Sequence, residues 1–446
     1  MSADAPRAGD AGVSSKSLSS LRLALLLAVA CTPALAQASS DSTWAQHLQA
    51  GRAALASDDH IGAWHHLLAV DSLVGGHTGV KSALATLAAR EGRREESLRW
   101  LRALAETGLT RSIRDDTTFV RWRDDPEFRA VAARLDSNAA PIANAVPYLS
   151  LGDTSLLAED IAWDASGERF LVSSIHRRKI IAMERSGRVS DFTSAGADGA
   201  WGVYGLALDA KRELLWSTIV AGPESEVFVA ADSGRTALVA HELRSARLRY
   251  RVELPRTPER QVLGDLALVS DGSVVLSESL GGALYRLPPG TRELELLVPP
   301  GTFRSPQGLA PAADGKRLYV ADYSRGFAAV DLATHAVTWL AKPYSLSSGG
   351  CDGLYRDGTR LIAIQNGTSP HRVLELQLDA SGSSITRWRV LEQASAGLGE
   401  PNHGVLVGRD FYLIGNSGWD RVGDDGRLQA GTPARAPGLL QLKLGS

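Results

Sequence analysis

The chain has 446 residues, enough for two or three domains with full cores. Its formal net charge of −2 gives no electrostatic ground for a nucleic-acid partner, and charges of both signs are interspersed, so no acidic or basic tail is expected. The two cysteines, Cys31 and Cys351, exclude a disulfide framework if Cys31 is removed or modified, and no zinc-ligand spacing occurs.

Residues 1–36 read as an export signal. Arg7, Lys16 and Arg22 make a positive leader, and Leu23 to Ala30 is an apolar run too short to span a bilayer. Ala34-Leu35-Ala36 supplies a small-x-small cleavage pattern before Gln37. The rival reading takes Ala28-Val29-Ala30-Cys31 as a lipoprotein box with Cys31 acylated. No other segment approaches the ~20 apolar residues of a membrane span. The expectation is a periplasmic or secreted protein without a transmembrane segment.

Residues 37–43 form a polar linker, and from Trp44 to Asn138 the periodicity is helical. Asp58-Asp59 can cap a helix carrying Ile61, Trp64, Leu67, Leu68 and Val70, which Gly75-Gly76 breaks. A second pair runs from Val80 to Arg90 and from Arg94 to Thr107, hinged at Glu91-Gly92; a last helix follows over Pro126 to Leu135. Ala85 to Leu109 resembles a tetratricopeptide repeat, with small residues where two helices approach and Gly92 at the turn. The resemblance implies a docking face for a protein partner or a lid over the next domain; a small structural cap would show the same pattern. Residues 139–145 are a second linker.

From residue 146 the period changes to strands. One short phrase, Gly or Asp followed by an apolar pair, recurs six times: at Glu159-Asp160-Ile161, Tyr204-Gly205-Leu206, Gly264-Asp265-Leu266, Gln307-Gly308-Leu309, Asp352-Gly353-Leu354 and His403-Gly404-Val405. The copies start 45, 60, 43, 45 and 51 residues apart. In the fourth copy, Gly308 to Pro311, Leu318 to Asp322, Phe327 to Leu332 and Ala336 to Leu340 read as four strands, with Asp314-Gly315 as a hairpin turn. Four short strands per unit of this length is a propeller blade. The predicted fold is therefore multidomain α and β: helical hairpins over 44–138 and an all-β six-bladed propeller over 146–446. Pro147 to Leu151 would complete the last blade and hide the open edges.

Innermost strands run side by side around one tunnel, so the residues that precede each phrase converge at one mouth: Glu159, Tyr204, Gly264, Gln307, Asp352 and His403. The ends of the returning strands, Ser174, Glu278, Asp322, Gln365 and Asn416, would form an outer rim. Two carboxylates, an amide oxygen and an imidazole suit a hard cation such as calcium; a polar mouth filled by water has the same composition. His176, beside Arg177 and Arg178 just past a strand end, could hold an anionic substrate, as could a solvated loop. Tyr204 and Asp322 are further candidate substrate contacts.

Leu157 to Asp164, Ser305-Pro306-Gln307-Gly308-Leu309, Arg317 to Asp322 and Cys351-Asp352-Gly353-Leu354, in order and at blade spacing, resemble the family of senescence marker protein 30, the gluconolactonases and luciferin-regenerating enzyme; the paraoxonases and strictosidine synthases are more distant. The resemblance spans about 300 residues. It implies a divalent cation, calcium first, on Glu159 and Asp352, with Gln307 standing where the family has Asn and Gly264 replacing a further Asn. It implies metal-assisted opening of a lactone or related ester, in which Asp352 is ligand and candidate base for water and His403 the other candidate base. The departures at Gln307 and Gly264 favour the alternative, a non-catalytic propeller that binds a ligand, or a protein through the helical region.

Overall fold

The computed structural model describes residues 40–429 and 435–445. The expected leader, with Cys31, lies outside the described residues. Among the described residues no helix is long and apolar enough to cross a membrane.

Among the described residues five α-helices come first: α1 (Ser40–Ala56), α2 (His60–Val74), α3 (Thr78–Arg90), α4 (Arg94–Ala105) and, after a 3-10 turn over Thr117–Trp122, α5 (Pro126–Ser137). Helix α1 begins inside the stretch expected to be a linker; Ser and Asp are at home in a first helical turn, so polarity there did not mean loop. The Asp59 carboxylate caps α2 by accepting the Gly62 N–H, and Asp125 caps α5 by accepting those of Glu127 and Phe128, with Pro126 in the first turn. Gly92, at φ 74°, turns α3 into α4. Leu84, Leu87, Leu98, Leu101 and Leu104 form apolar stripes on α3 and α4 and are buried with Phe119, Phe128 and Leu135 in one core.

Strand β1 (Val146–Ser150) leads into six four-stranded antiparallel sheets. Blade one is β2 (Ala158–Asp164), β3 (Arg169–Ser174), β4 (Lys179–Glu184) and β5 (Val189–Asp191); blade two is β6 (Gly202–Asp209), β7 (Leu214–Val220), β8 (Thr236–Glu242) and β9 (Leu248–Glu253). Blade three is β10 (Leu263–Leu268), β11 (Val274–Glu278), β12 (Ala283–Leu287) and β13 (Glu295–Val298); blade four is β14 (Pro306–Pro311), β15 (Arg317–Asp322), β16 (Gly326–Asp331) and β17 (Val337–Trp339). Blade five is β18 (Cys351–Asp357), β19 (Arg360–Gln365), β20 (Arg372–Leu378) and β21 (Ile385–Gln393). Blade six takes β22 (Gly404–Val407), β23 (Asp410–Gly415) and β24 (Gly438–Lys443) and is completed by β1, with Val146 opposite Gln441 and Ser150 opposite Gly438. The chain is a six-bladed β-propeller closed by its first strand, as the repeat predicted.

The recurring Gly and Asp have separate physical causes. A Cβ on Gly205 would lie 2.7 Å from the Gly264 carbonyl oxygen, and one on Gly308 would lie 2.4 Å from the Asp352 carbonyl oxygen and the Leu354 nitrogen. There the next inner strand occupies the space of a side chain. At Asp160 and Asp265 the side chain itself crosses the gap: Asp160 accepts the Leu206 N–H (2.6 Å) and Asp265 the Leu309 N–H (2.9 Å). In blades one to five the register shifts near the start of the inner strand, for example between Ala158 and Ile161 and between Cys351 and Leu354. Such bulges interrupt strict alternation, so two successive residues of a strand can both face the tunnel.

The helical region is seated on the mouth end of blades four and five. Lys342 Nζ donates to the Gly75 carbonyl (3.1 Å), the Tyr344 hydroxyl to Asp71 (2.7 Å), the Thr110 N–H to the Ser369 carbonyl (2.9 Å) and Gln393 Nε2 to the Asn138 carbonyl (3.0 Å). The fully buried Arg372 donates to the Thr107 carbonyl (2.9 Å) and to Gln365 (2.6 Å). These loops stand at the end where the inner strands of both blades begin, so the helices build up one side of the mouth.

Candidate functional site at the propeller mouth

Glu159, Asp352 and His403, expected at one mouth, are brought together there. Each carboxylate is held by an amide from elsewhere. Asn402 Nδ2 and Trp419 Nε1 both donate to Glu159 Oε2 at 2.7 Å. Asn366 Nδ2 donates to Asp352 Oδ2 at 2.8 Å and to the Pro401 carbonyl at 3.2 Å. The amide oxygens of Asn366 and Asn402 are buried and have no hydrogen-bond partner, which is costly unless something electropositive meets them.

A second layer lies against His403. Its Nε2 is 3.7 Å from Asp352 Oδ1 and its Nδ1 is 3.7 Å from Asp160 Oδ1 and 3.2 Å from the Tyr355 hydroxyl, which accepts the Gly404 N–H. Ligand atoms of Asp160, Asp265 and His403 lie within 4.8 Å of one another. Burial acts against a charged imidazole, but Asp160, Asp265 and Asp352 outweigh it and hold His403 protonated well above its ordinary range.

The two mouth carboxylates are driven in opposite directions. Burial, reinforced by the charge of Asp352, pushes Glu159 up to about 8. Burial also works to raise Asp352, yet the positive charge of His403 3.7 Å away, with the hydrogen bond from Asn366, holds it below the usual carboxylate range. Asp265 is pushed up to about 7, chiefly by burial, and Glu400 to about 7 by burial and by Asp420 and Asp352. Tyr204 packs with Leu157, Ile175 and Val220 beside Trp419; burial, Glu224 and Glu159 keep its hydroxyl protonated.

Other expected site residues are engaged elsewhere. Both oxygens of the fully buried Asp322 are taken by backbone N–H groups, Oδ1 by Ser324 and Arg325 and Oδ2 by Arg304 and Ser305. It ties the incoming loop and offers substrate nothing, so its assignment as a substrate contact is corrected. Glu278 and Gln365 clamp their own loops in the same way, which explains why polar residues recur at the ends of the returning strands without forming a ligand rim. The Gln307 oxygen accepts the Ser279 hydroxyl (3.2 Å) and keeps a second lone pair, and its amide donates to Ser305 (3.0 Å). His176 Nδ1 meets the Glu224 carbonyl (2.8 Å) and Arg177 pairs with Glu226, so both fasten a loop. His403, a candidate base in the sequence, is surrounded by carboxylates that favour its protonated form.

Asp160, Asp265, Tyr355, Asn366 and Asn402 were not expected at the site. The first two stand inside the repeat phrase itself, one position after the residue that strict alternation selects. Asn366 and Asn402 each neighbour a residue that was selected, Gln365 and His403. The signal was present and off by one.

No protein-family model matches the sequence, and no curated protein matches it. Among solved structures, a gluconolactonase from Xanthomonas campestris is 16% identical, with a TM-score of 0.44, over 69% of this chain and 92% of its own. A luciferin-regenerating enzyme is 13% identical, with a TM-score of 0.47, over 69% of this chain and 98% of its own. Regucalcin from Agrobacterium tumefaciens, a calcium-binding protein, is 13% identical, with a TM-score of 0.44, over 67% of this chain and 95% of its own. The propeller assignment stands on the six sheets of the chain itself.

Proposed function

We propose that the protein is a hydrolase that opens a lactone or related ester at the propeller mouth, with Glu159 and Asp352 as its working carboxylates. The observation that carries this reading is the pairing of each carboxylate with a buried asparagine whose own oxygen has no partner. Two carboxylates and two amide oxygens make an acceptor-only set that fits a hard divalent cation, calcium by preference. Glu159, Asp352, Asn366 and Asn402 would hold it; Gln307, whose oxygen is engaged by Ser279, borders the set. A cation bound there would polarise the ester carbonyl and steady the oxyanion.

The chain's own residues supply the rest. Asp352, kept ionised by His403 and Asn366, accepts a proton from water. His403 acts through Asp352 as a fixed positive charge and not as the base. Trp419 and Asn402 orient Glu159, and the protonated Tyr204 hydroxyl is a donor for a substrate oxygen. Export through the N-terminal leader would place this chemistry outside the cytoplasm.

The test is turnover of a panel of lactones and aryl esters by the purified chain, with calcium and with chelator. Asp352→Asn should remove both turnover and the rise in melting temperature that calcium brings. A melting temperature indifferent to calcium and chelator would sink the cation, and a silent panel would sink the hydrolase.

A further inference from the structure

A separate cavity of about 210 Å³ opens between blades one and two, on the same end of the propeller. Its walls come from three connections: Arg178 in the β3–β4 turn, Trp201 just before β6, and Val227, Phe228 and Val229 in the β7–β8 connection. That last connection, residues 221–235, accounts for the long spacing of 60 residues between Tyr204 and Gly264. It is fixed to blade one: the Glu226 N–H donates to the His176 carbonyl (3.0 Å), the Ser225 hydroxyl to the Ile175 carbonyl (3.3 Å), and Arg177 pairs with Glu226. The insertion is thus a built wall.

The wall is apolar where it meets solvent, with Val227 56% and Val229 55% exposed. Such exposure of neighbouring aliphatic side chains in a concave site is a mark of ligand binding. Trp201 is held rigid: Arg235 and Arg251 each lie 4.8 Å from its ring centroid, and both are anchored on Glu253 (2.7 and 3.0 Å). Arg178 provides the contrast. Its guanidinium lies over Gly196, where a Cβ would come within 2.8 Å of Nη1. Its one hydrogen bond is a long contact, 3.5 Å, to the Ala200 carbonyl, and its buried Nε has no partner. Among the described residues no carboxylate lies within 4.0 Å of it; Asp232, on the cavity lining, is taken by Arg235 at 3.0 Å.

We propose that this cavity binds a small organic carboxylate, its anionic group on Arg178 and its hydrocarbon or aromatic body against Trp201, Val227, Phe228 and Val229. A guanidinium without a counter-ion matches a carboxylate in charge and in planar two-point geometry. The volume equals about seven waters at ~30 Å³ each, room for a body the size of a phenyl ring. The proposal goes beyond the hydrolase reading and does not need it, because binding alone is claimed.

Isothermal titration of the full chain with phenylacetate, phenylacetamide and acetate tests it. Phenylacetate should bind about tenfold more tightly than the amide, which lacks the charge, and than acetate, which lacks the ring. Arg178→Met should bring phenylacetate down to the level of phenylacetamide and leave the amide unchanged. Val229→Glu, at an exposed side chain that folding does not need, should weaken phenylacetate by a similar factor. Equal affinities for phenylacetate and its amide, affinities unmoved in both variants, or no binding heat would overturn the proposal. Glu159→Gln should keep phenylacetate binding, so this cavity and the hydrolase site fail separately.

Discussion

Gly308→Ala should damage both the fold and the mouth. The added Cβ would lie 2.4 Å from the Asp352 carbonyl oxygen, 2.4 Å from the Leu354 nitrogen and 2.9 Å from the Gly353 carbonyl carbon. Ordinary contact needs about 3.5 Å, so the inner strands of blades four and five must part by about 1 Å. Every atom in the way is backbone, so no rotamer relieves the clash. Overpacking of this kind costs about 3 kcal/mol. With an unfolding entropy of about 2.1 cal/mol/K per residue over roughly 400 residues, the melting temperature should fall by about 4 °C. Gly358→Ala is the control: φ is 60° but nothing stands within 4 Å of the new Cβ, so the cost is the left-handed backbone alone, about 1 kcal/mol and about 1 °C. Since Gly308 abuts Asp352, the variant should also lose part of its calcium-linked stabilisation, which Gly358→Ala should keep. Both are read by thermal melts with and without calcium. A Gly308→Ala protein that melts within 1 °C of the parent, or a Gly358→Ala protein that loses more, would refute the close approach of the two blades.

Glu159, at about 8 in the fold against an ordinary 4.5, leaves the folded protein with the extra proton between those values, so in chelator stability should fall as pH rises from about 4.5 to 8, and Glu159→Gln should flatten that slope in urea titrations. Asn366→Ala and Asn402→Ala should each shrink the calcium-induced rise in melting temperature while Gln307→Ala leaves it unchanged; the reverse order would transfer the ligand role back to Gln307. Lys342, lowered to about 8 chiefly by burial, binds its proton more weakly in the fold than the ordinary 10.5, so stability should rise with pH between those values, and Lys342→Met should remove the rise. Arg372→Met strips donors from the Gln365 side chain and the Thr107 carbonyl, two buried acceptors, and should cost about 3 kcal/mol in urea unfolding.

The propeller was legible because its period is covalent: six phrases at near-regular spacing force six inner strands, and Pro147 to Leu151 had the composition to close the ring. The helices were legible from their stripes and from Gly92. The site was half legible. Glu159, Asp352 and His403 follow from the rule that inner-strand starts share a mouth. Asp160 and Asp265 did not follow, because a bulge at the strand start turns a second residue inward and alternation knows nothing of bulges. Asp322 misled for the opposite reason. A carboxylate at a strand end looks the same in sequence whether it faces a ligand or four backbone N–H groups. His403 stands where the rule puts it, but its surroundings could not be read, since the carboxylates that favour its proton come from three blades, two of them around 140 and 240 residues away in sequence.

The charges in the tunnel connect these errors to the function. Asp160 and Asp265 join blade one to blade two and blade three to blade four, so they are needed by the fold. They bring two carboxyl groups within 4.8 Å of His403, which answers them with one positive charge. Asp352 draws on the same imidazole at 3.7 Å. Three carboxylates around one imidazolium leave an excess of negative charge, and Glu159 adds to it. In the fold alone burial, with this charge behind it, favours protons on these groups and raises Glu159 to about 8 and Asp265 to about 7. A divalent cation at the mouth would relieve it instead, and would meet the two asparagine oxygens that have no partner. The structural carboxylates thus share the positive charge of His403, and in the proposed reaction Glu159 and Asp352 are the groups that would bind and react.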